Sequence, residues 1–381
     1  MRSWARAVVF FAVLGLLASP VGAQEPIRIG VNFEMTGATA AYGQMGWEGI
    51  QTIRSMGYDT VLGRPVEVIL VDNKSDRVEA ANATTRLINQ GVVAIIGTMT
   101  SGNALAAGPI AEQAGIPIIG PATTNPLVTQ GRTHVFRACF TDNYQAEIAA
   151  QFAYENLGAR RVAVISDIAQ DYTVALGQYF TQAFERLGGQ VVVTTYVRTG
   201  DQDFTAQLTA VANANPDLLY VPNYYTENAL IARQARELGL TQPILSGDGA
   251  DAPELLEIGG EAVEGLMHTA FWHEEAAVTD LGRQYIETYR RLYNKEPNSF
   301  GGLAADAYLM VLHAIEQAGS PDPAAIRDQL EAIHGLEVVT GPVIIENGDA
   351  IKPVVIRRVE GGEFRYMTTV YPPELQALAS Q

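Results

Sequence analysis

Val92-Val-Ala-Ile-Ile-Gly-Thr-Met-Thr-Ser-Gly-Asn-Ala-Leu105 is followed closely by Ile116-Pro-Ile-Ile-Gly-Pro-Ala-Thr-Thr-Asn-Pro126. Residues 92–96 are an unbroken β-rich apolar run closed by Gly97, the pattern of a strand buried on both faces. A small polar turn, residues 98–103, comes next, and residues 104–114 read as a helix with Pro109 placed to bend it. Residues 116–119 repeat the buried-strand pattern, residues 121–125 form a second hydroxyl-rich turn, and Pro126 suits the first position of a short helix. Two consecutive β-to-α turns therefore bring Thr100, Ser101, Thr123 and Thr124 to the carboxyl ends of neighbouring parallel strands. Open α/β sheets bind ligands at that edge. Free N–H groups at helix starts favour an anion there, and hydroxyls add further donors.

The same alternation extends in both directions. Upstream lie a strand at residues 27–33, a helix at 47–57, a strand at 66–71 and a helix at 76–90 with Val78, Ala81, Leu87 and Ile88 facing inward. Residues 135–137 are a short strand leading into a crossover at Thr141-Asp142-Asn143. A second series then begins, with helices at 146–157, 172–187, 203–212 and 227–238 between strands at 161–165, 191–197, 217–221, 244–245 and 265–271. Strands alternating with helices over this length predict parallel sheets covered by helices, in two lobes. Past Trp272 the pattern turns helical at 280–293, 303–318 and 324–333, and strands return at 338–345, 354–359 and 365–370.

Composition narrows the function classes. The 381 residues carry a formal charge of −17, which disfavours nucleic acid and anionic membrane surfaces as partners. Residues 1–23 have the basic start, apolar middle and Val21-Gly-Ala23 ending of a signal peptide. Their apolar run is too short to span a bilayer, and no later stretch approaches a membrane span. The expected product is a secreted chain from Gln24, not membrane-embedded, with periplasmic localisation. Loss of Arg2 and Arg6 takes its charge from −17 to −19. No cysteine follows the cleavage site, so no lipid anchor is expected; Cys139, the single cysteine, fits a small buried apolar residue.

Individual residues admit ordinary readings. Ser101 and Thr124 suit helix caps and turns. Asp248, in Ser246-Gly-Asp-Gly249, suits a turn aspartate. Tyr42, Tyr172 and Tyr224, each just beyond a strand end, suit half-buried core, as does Trp47; Trp272 could reach a cleft. Gly247-Asp-Gly249-Ala-Asp-Ala252 matches the dinucleotide pattern G-x-G-x-x-A, but it lies late and precedes only a short helix at 253–258. There is no nucleophile elbow and no P-loop, and His268 and His273 lack zinc spacing. No catalytic, cofactor or metal constellation emerges.

The opening residues also carry a resemblance. Ile95-Ile-Gly, Thr100-Ser101, Gly115-Ile-Pro, Pro121-Ala-Thr-Thr-Asn-Pro126 and Val135-Phe-Arg-Ala-Cys-Phe-Thr-Asp142 resemble the leucine/isoleucine/valine-binding proteins, extracytoplasmic receptors of branched-chain amino acid ABC importers. The likeness runs from about Ile27 to the last strands. It implies the periplasmic-binding-protein type I fold, α/β with two doubly wound lobes and a central cleft. Three crossovers would divide the chain into lobe 1 at 24–141 and 273–348, and lobe 2 at 142–272 and 349–381. Many relatives join the positions of Ser75 and Thr100 by a disulfide, which this chain cannot form.

The resemblance further implies that Ser101, Thr124 and amides near Ala122 hold a ligand α-carboxylate, and that Asp248 meets the α-ammonium. Tyr42, Tyr172 and Tyr224 would be pocket aromatics, the last two flanking the cleft entrance from opposite faces. The expected function is capture of a free amino acid, branched or aliphatic, by hinge closure and delivery to the importer's membrane permease subunits. Two alternatives stand beside it: the same fold with an amide, urea-like or aromatic acid ligand, and a secreted enzyme using the Gly247 loop for a nucleotide.

Overall fold

The computed structural model describes residues 25–379, so the expected signal segment lies outside the described residues. The first series is β1 (Ile27–Phe33), α1 (Ala40–Ser55), β2 (Thr60–Val61), β3 (Arg64–Asp72), α2 (Arg77–Asn89), β4 (Ala94–Gly97), α3 (Ser101–Ala114), β5 (Ile118–Gly120) and β6 (Val135–Arg137). It forms a six-stranded sheet in the order β2-β3-β1-β4-β5-β6. Ile27, Ile29, Val31 and Phe33 of the central β1 are all buried, as expected of a parallel strand covered on both faces.

Several helices begin earlier than the apolar spacing indicates. α1 starts at Ala40 rather than 47, which puts Tyr42 in its first turn. α3 starts at Ser101 rather than 104, with Thr100 as its N-cap residue and no side-chain cap. In α2 Asp76 caps the amides of Val78 and Glu79 at 2.8 and 2.9 Å. That cap sets the phase: Ala80, Ala83, Thr84 and Leu87 face inward, Ala81 and Ile88 are half-buried, and Val78 in the first turn is 67% exposed. The inward assignment of Val78 is therefore corrected.

The second series comprises α4 (Asp142–Gln151), β7 (Arg161–Asp167), α5 (Asp171–Arg186), β8 (Gln190–Val197), α6 (Thr205–Ala214), β9 (Leu218–Tyr220), α7 (Tyr225–Glu237), β10 (Ile244–Ser246), α8 (Pro253–Gly259) and β11 (Met267–Ala270). The chain passes from the first sheet to the second at Thr141-Asp142-Asn143: β6 ends at Arg137, Thr141 is the N-cap residue of α4, and α4 runs into a π-helical turn at Phe152–Asn156 before β7.

The chain then returns to the first sheet through α9 (Asp280–Tyr293), α10 (Ser299–Ala318) and α11 (Pro323–Glu331). β12 (His334–Val338), β13 (Gly341–Glu346) and β14 (Asp349–Ile351) make a separate three-stranded sheet, where one strand at 338–345 was expected. Asn347 and Gly348 both have positive φ and form the two-residue turn between β13 and β14. Because Asp349–Ile351 pairs with β13, the last crossing lies after these residues and not before 349. β15 (Val354–Glu360) and β16 (Glu363–Val370) complete the second large sheet, β16-β15-β11-β10-β9-β7-β8, and α12 (Pro373–Ala379) follows. At the crossing the buried Lys352 Nζ bonds Asp306 Oδ2 at 3.0 Å and Thr340 Oγ1 at 2.8 Å. Among the described residues no helix is long and apolar enough to cross a membrane.

Close approach of α1 and α10 positions the site. A Cβ on Gly49 would overlap the Gly301 carbonyl, and one on Gly301 would come within 2.9 Å of the Met45 carbonyl. The two helices touch backbone to backbone, which brings Phe300 onto the ring of Tyr42 with centroids 4.3 Å apart. Gly49→Ala is expected to destabilise the protein by about 1–3 kcal/mol, the range of an overpacked core. A lowered midpoint in chemical denaturation checks this, and an unchanged midpoint would mean that the helices separate at no cost.

Candidate functional site

The strand-to-helix turns of the first lobe are each held from behind by one buried charged side chain. Glu34, immediately after β1, is fully buried and accepts from Met99 N at 3.0 Å, Thr100 N at 3.2 Å, Thr100 Oγ1 at 2.8 Å and Asn103 Nδ2 at 2.8 Å. Burial raises its pKa, and these bonds pull it back. Arg137, at the end of β6, is buried as completely. Its guanidinium donates to Thr123 O at 2.5 Å, Asn125 O at 3.0 Å and Thr129 Oγ1 at 2.9 Å, and pairs with Asp349 Oδ1 at 2.7 Å. A trans peptide points its N–H opposite its C=O, so the Thr124 amide is directed away from Arg137.

Ser101 is not a cap. Its Oγ accepts from Asn125 N at 3.2 Å, which links the two turns and leaves its own hydrogen free to donate. Thr123 Oγ1 and Thr124 Oγ1 are buried without a hydrogen-bond partner among the described residues.

Across the cleft, Asp248 Oδ1 accepts from Gln145 Nε2 at 2.7 Å and from Tyr172 Oη at 2.9 Å. Burial pushes the Asp248 carboxyl up to about 7, against the pull of those two donors. Burial also pushes the Tyr172 hydroxyl well above its ordinary value, with the Asp248 carboxylate adding to the shift. Tyr172 Oη also accepts from Gly249 N at 3.0 Å. Cβ atoms on Gly247 or Gly249 would crowd Tyr172, and at Gly249 also Tyr224 and the Asn223 carbonyl. These glycines make room for tyrosines. With only the seven-residue α8 after it, the loop lacks the βα geometry of a dinucleotide site.

The lobes close on one another. Tyr42 Oη donates to Gly249 O at 2.6 Å and Tyr225 Oη to Ala38 O at 2.9 Å. At the rim Arg77 pairs with Asp171 at 2.7 Å, and Asn125 Nδ2 donates to Asp171 O at 3.1 Å. They enclose a cavity of about 210 Å³. Tyr42, Met99, Ser101, Ala122 and Phe300 line it from the first lobe, facing Tyr172, Tyr224, Asp248 and Gly249 from the second.

Six of the seven expected residues thus meet at one cavity. Thr124 is not among the lining residues; it adjoins Ala122 in the same turn, and its carbonyl accepts from Asp142 N at 2.8 Å. Tyr172 and Tyr224 do not flank an entrance from opposite faces: they stack on the same side, 5.3 Å apart and 6° from parallel. Trp47 packs half-buried against the core, and Trp272 lies against Tyr285 away from the cavity.

Sequence reading passed over Glu34, Arg137, Gln145 and Phe300, whose partners are distant in the chain. His268 and His273 do not join the site; burial pushes both down to about 4. Among the described residues no group of three or more His, Cys, Asp or Glu side chains is placed to hold a metal. The cavity therefore sets hydroxyls and amides on one wall against a carboxylate on the other, with aromatic faces between them. That arrangement offers complementary partners to a molecule carrying both charges and an apolar body.

The fold is shared with known proteins. Residues 26–363 match the family model described as periplasmic binding protein. Over 91% of its length the chain is 28% identical to a Leu/Ile/Val-binding protein homologue of Brucella melitensis, covering 94% of that protein. It is 48% identical to the crystal structure of a leucine binding protein, LivK, from Thermotoga maritima, with a TM-score of 0.89 over 91% of this chain and 99% of that one. It is 31% identical to the branched-chain amino acid transporter substrate binding protein LivJ of Streptococcus pneumoniae, solved with isoleucine, at a TM-score of 0.86 over 91% and 100% of the two chains. The chain belongs to the periplasmic binding protein family, within the leucine/isoleucine/valine-binding group.

Proposed function

We propose that this protein captures a free branched-chain or aliphatic amino acid outside the cytoplasm and delivers it to the membrane permease of an ABC importer. The observation that carries this reading is the placement of Asp248 opposite the Ser101 and Ala122 turns in one enclosed cavity. The ammonium is assigned to Asp248. The carboxylate is assigned to the Ser101 hydroxyl, the amides near Ala122 and Thr124, and the Thr124 hydroxyl behind them. The aliphatic body lies against Tyr42, Phe300, Met99 and the Tyr172–Tyr224 stack. Relatives named for leucine, isoleucine and valine binding support the ligand class. The protein acts by binding rather than by catalysis, and its place is the periplasm.

Closure follows from the division of contacts. Neither lobe alone offers both charge partners, so ligand binds the closed form better and draws the population toward it. The four aromatic rings around the cavity support a second reading, an aromatic acid in the same place.

Two outcomes are expected. L-leucine, L-isoleucine or L-valine should raise the melting temperature, increasingly with concentration, while the matching decarboxylated amine and deaminated acid should not. Equal shifts from the one-charge analogues would rule out a zwitterion site, and a shift from benzoate alone would favour the aromatic acid. Asp248→Asn should weaken calorimetric binding about 10- to 100-fold, the worth of one hydrogen bond to a charged group, with little change in the ligand-free melting temperature. Unchanged affinity would remove Asp248 from the site.

A further inference from the structure

Beside the cavity lies a buried arrangement that amino-acid capture as described does not use. Gln145 Nε2 is 2.9 Å from Asp142 Oδ1 and 2.7 Å from Asp248 Oδ1. Its Oε1 accepts from Thr269 Oγ1 at 2.8 Å, which fixes the amide with its NH2 toward both acids. Asp142 and Gln145 are fully buried and Asp248 nearly so. Two carboxylates thus share one neutral donor group away from water.

The charged and titratable groups facing them come from several elements. Arg137 and Cys139 lie on the β6 side with Asp349 behind them, Tyr172 on α5, Tyr220 and Tyr224 at the end of β9, and Asp251 on the Asp248 loop. Tyr42 adds a hydroxyl from α1, and Glu34 and Asp167 act on Tyr224. Arg137 is the one cation in this set, and its hydrogen bonds go to Thr123, Asn125, Pro126, Thr129 and Asp349. Two like charges in such a place cannot both persist without a cation.

We propose that Asp142 is a positioning residue of the ligand site: it holds a proton and supports Thr124, while Asp248 carries the single negative charge. This rests on the reading of the cavity as an amino-acid site. The geometry divides the roles. Asp248 Oδ1 has two donors, Gln145 and Tyr172, so its anion is the better solvated. Asp142 has Gln145 alone, and its Oδ2 is buried without a partner. Next to it is Thr124, whose carbonyl accepts from Asp142 N and whose Oγ1 lacks a partner of its own yet lies close enough to act on Asp142. A proton on Asp142 Oδ2 is donated to Thr124 Oγ1, and the hydroxyl hydrogen is then free for a ligand carboxylate. An ionised Asp142 takes that hydrogen instead and sets a second negative charge beside the site.

Burial and the neighbouring Asp248 push Asp142 up to about 8, whereas burial pushes Asp248 to about 7. As pH falls through about 7, Asp248 takes up a proton and loses its attraction for an ammonium. As pH rises through about 8, Asp142 gives up its proton and Thr124 turns away from the ligand. Affinity is therefore highest between these values and falls on both sides.

The test uses the whole protein with carbon-13 at the aspartate carboxyls, which keeps Glu34 out of the signal. Infrared spectra of the ligand-free protein should show a protonated-acid carbonyl band with a component that persists above pH 7 and fades through about pH 8; Asp142→Asn should lose that component and keep only the band of Asp248, which fades through about pH 7. No component fading through about pH 8, or one that survives in Asp142→Asn, overturns the proposal. In calorimetry with L-leucine, the wild-type Kd should rise above about pH 8, approaching tenfold per pH unit for one proton lost. In Asp142→Asn that rise should disappear, leaving only the titration of the leucine amine. A rise that persists in the variant overturns the positioning role. If Asp142→Asn does not fold, the wild-type band and its loss above about pH 8 decide alone. If the wild-type protein binds none of the three branched-chain amino acids at any pH, the amino-acid reading fails, and the infrared band still decides where the proton sits.

Discussion

One buried guanidinium ties the second hydroxyl-rich turn to the β13–β14 hairpin. Arg137 reaches the carbonyls of the second turn, the Thr129 hydroxyl and the carboxylate of Asp349, and its own amide donates to Gly348 O at 2.9 Å. The short β13–β14 hairpin is thereby fixed to the end of β6, next to where the chain first leaves this sheet and where it last returns to the other. Charge-assisted bonds in a dry interior are strong, and removing one partner leaves an uncompensated charge. The shape of the anion-facing wall and the relative position of the two lobes thus depend on the same side chain.

The opposite wall is arranged by tyrosines. Tyr172 holds Asp248 and the Gly249 amide with one hydroxyl, and Tyr42 reaches across from the first lobe to the Gly249 carbonyl. The loop carrying the acid is thus gripped from both lobes only when they are together. Further along that loop, Asp251 meets Ser299 at the start of α10 and Arg357 on β15, each at 2.5 Å. Closure and the placement of the acid are one event in this geometry.

Much of this was legible in the residues, and the omissions have a common cause. Strands with apolar runs, Pro126 at a helix start and the hydroxyl turns are local signals that neighbouring residues enforce. Glu34 works on amides more than sixty residues away and Gln145 on an acid 103 residues away, so no window of sequence contains either interaction. Periodicity placed α1 and α3 late because their first turns lack an apolar stripe: Tyr42 and Ser101 line the cavity, and Asn103 is turned to Glu34. Val78 was assigned inward by its type, but the Asp76 cap turns it outward. Asn347-Gly348 is a hairpin signal that was present and passed over inside an expected run of strand. Ser101, picked by type and place, lines the cavity without acting as a cap, whereas Thr124, picked the same way, is not among the lining residues.

Cys139 follows Arg137 by two residues, fully buried, and burial pushes its thiol well up. Thiol reagents act on exposed thiolates, so this sulfur is chemically silent in the folded protein. Ser75 and Thr100 are hydroxyl residues engaged in hydrogen bonds: Ser75 Oγ donates to Thr36 O at 2.7 Å, and Thr100 Oγ1 donates to Glu34. The fold is consequently indifferent to the redox state of its surroundings. A single cysteine introduced on the rim, for instance at the exposed Ile168, would be the one labelling handle on the molecule, and a fluorophore there would report lobe movement against a blank background.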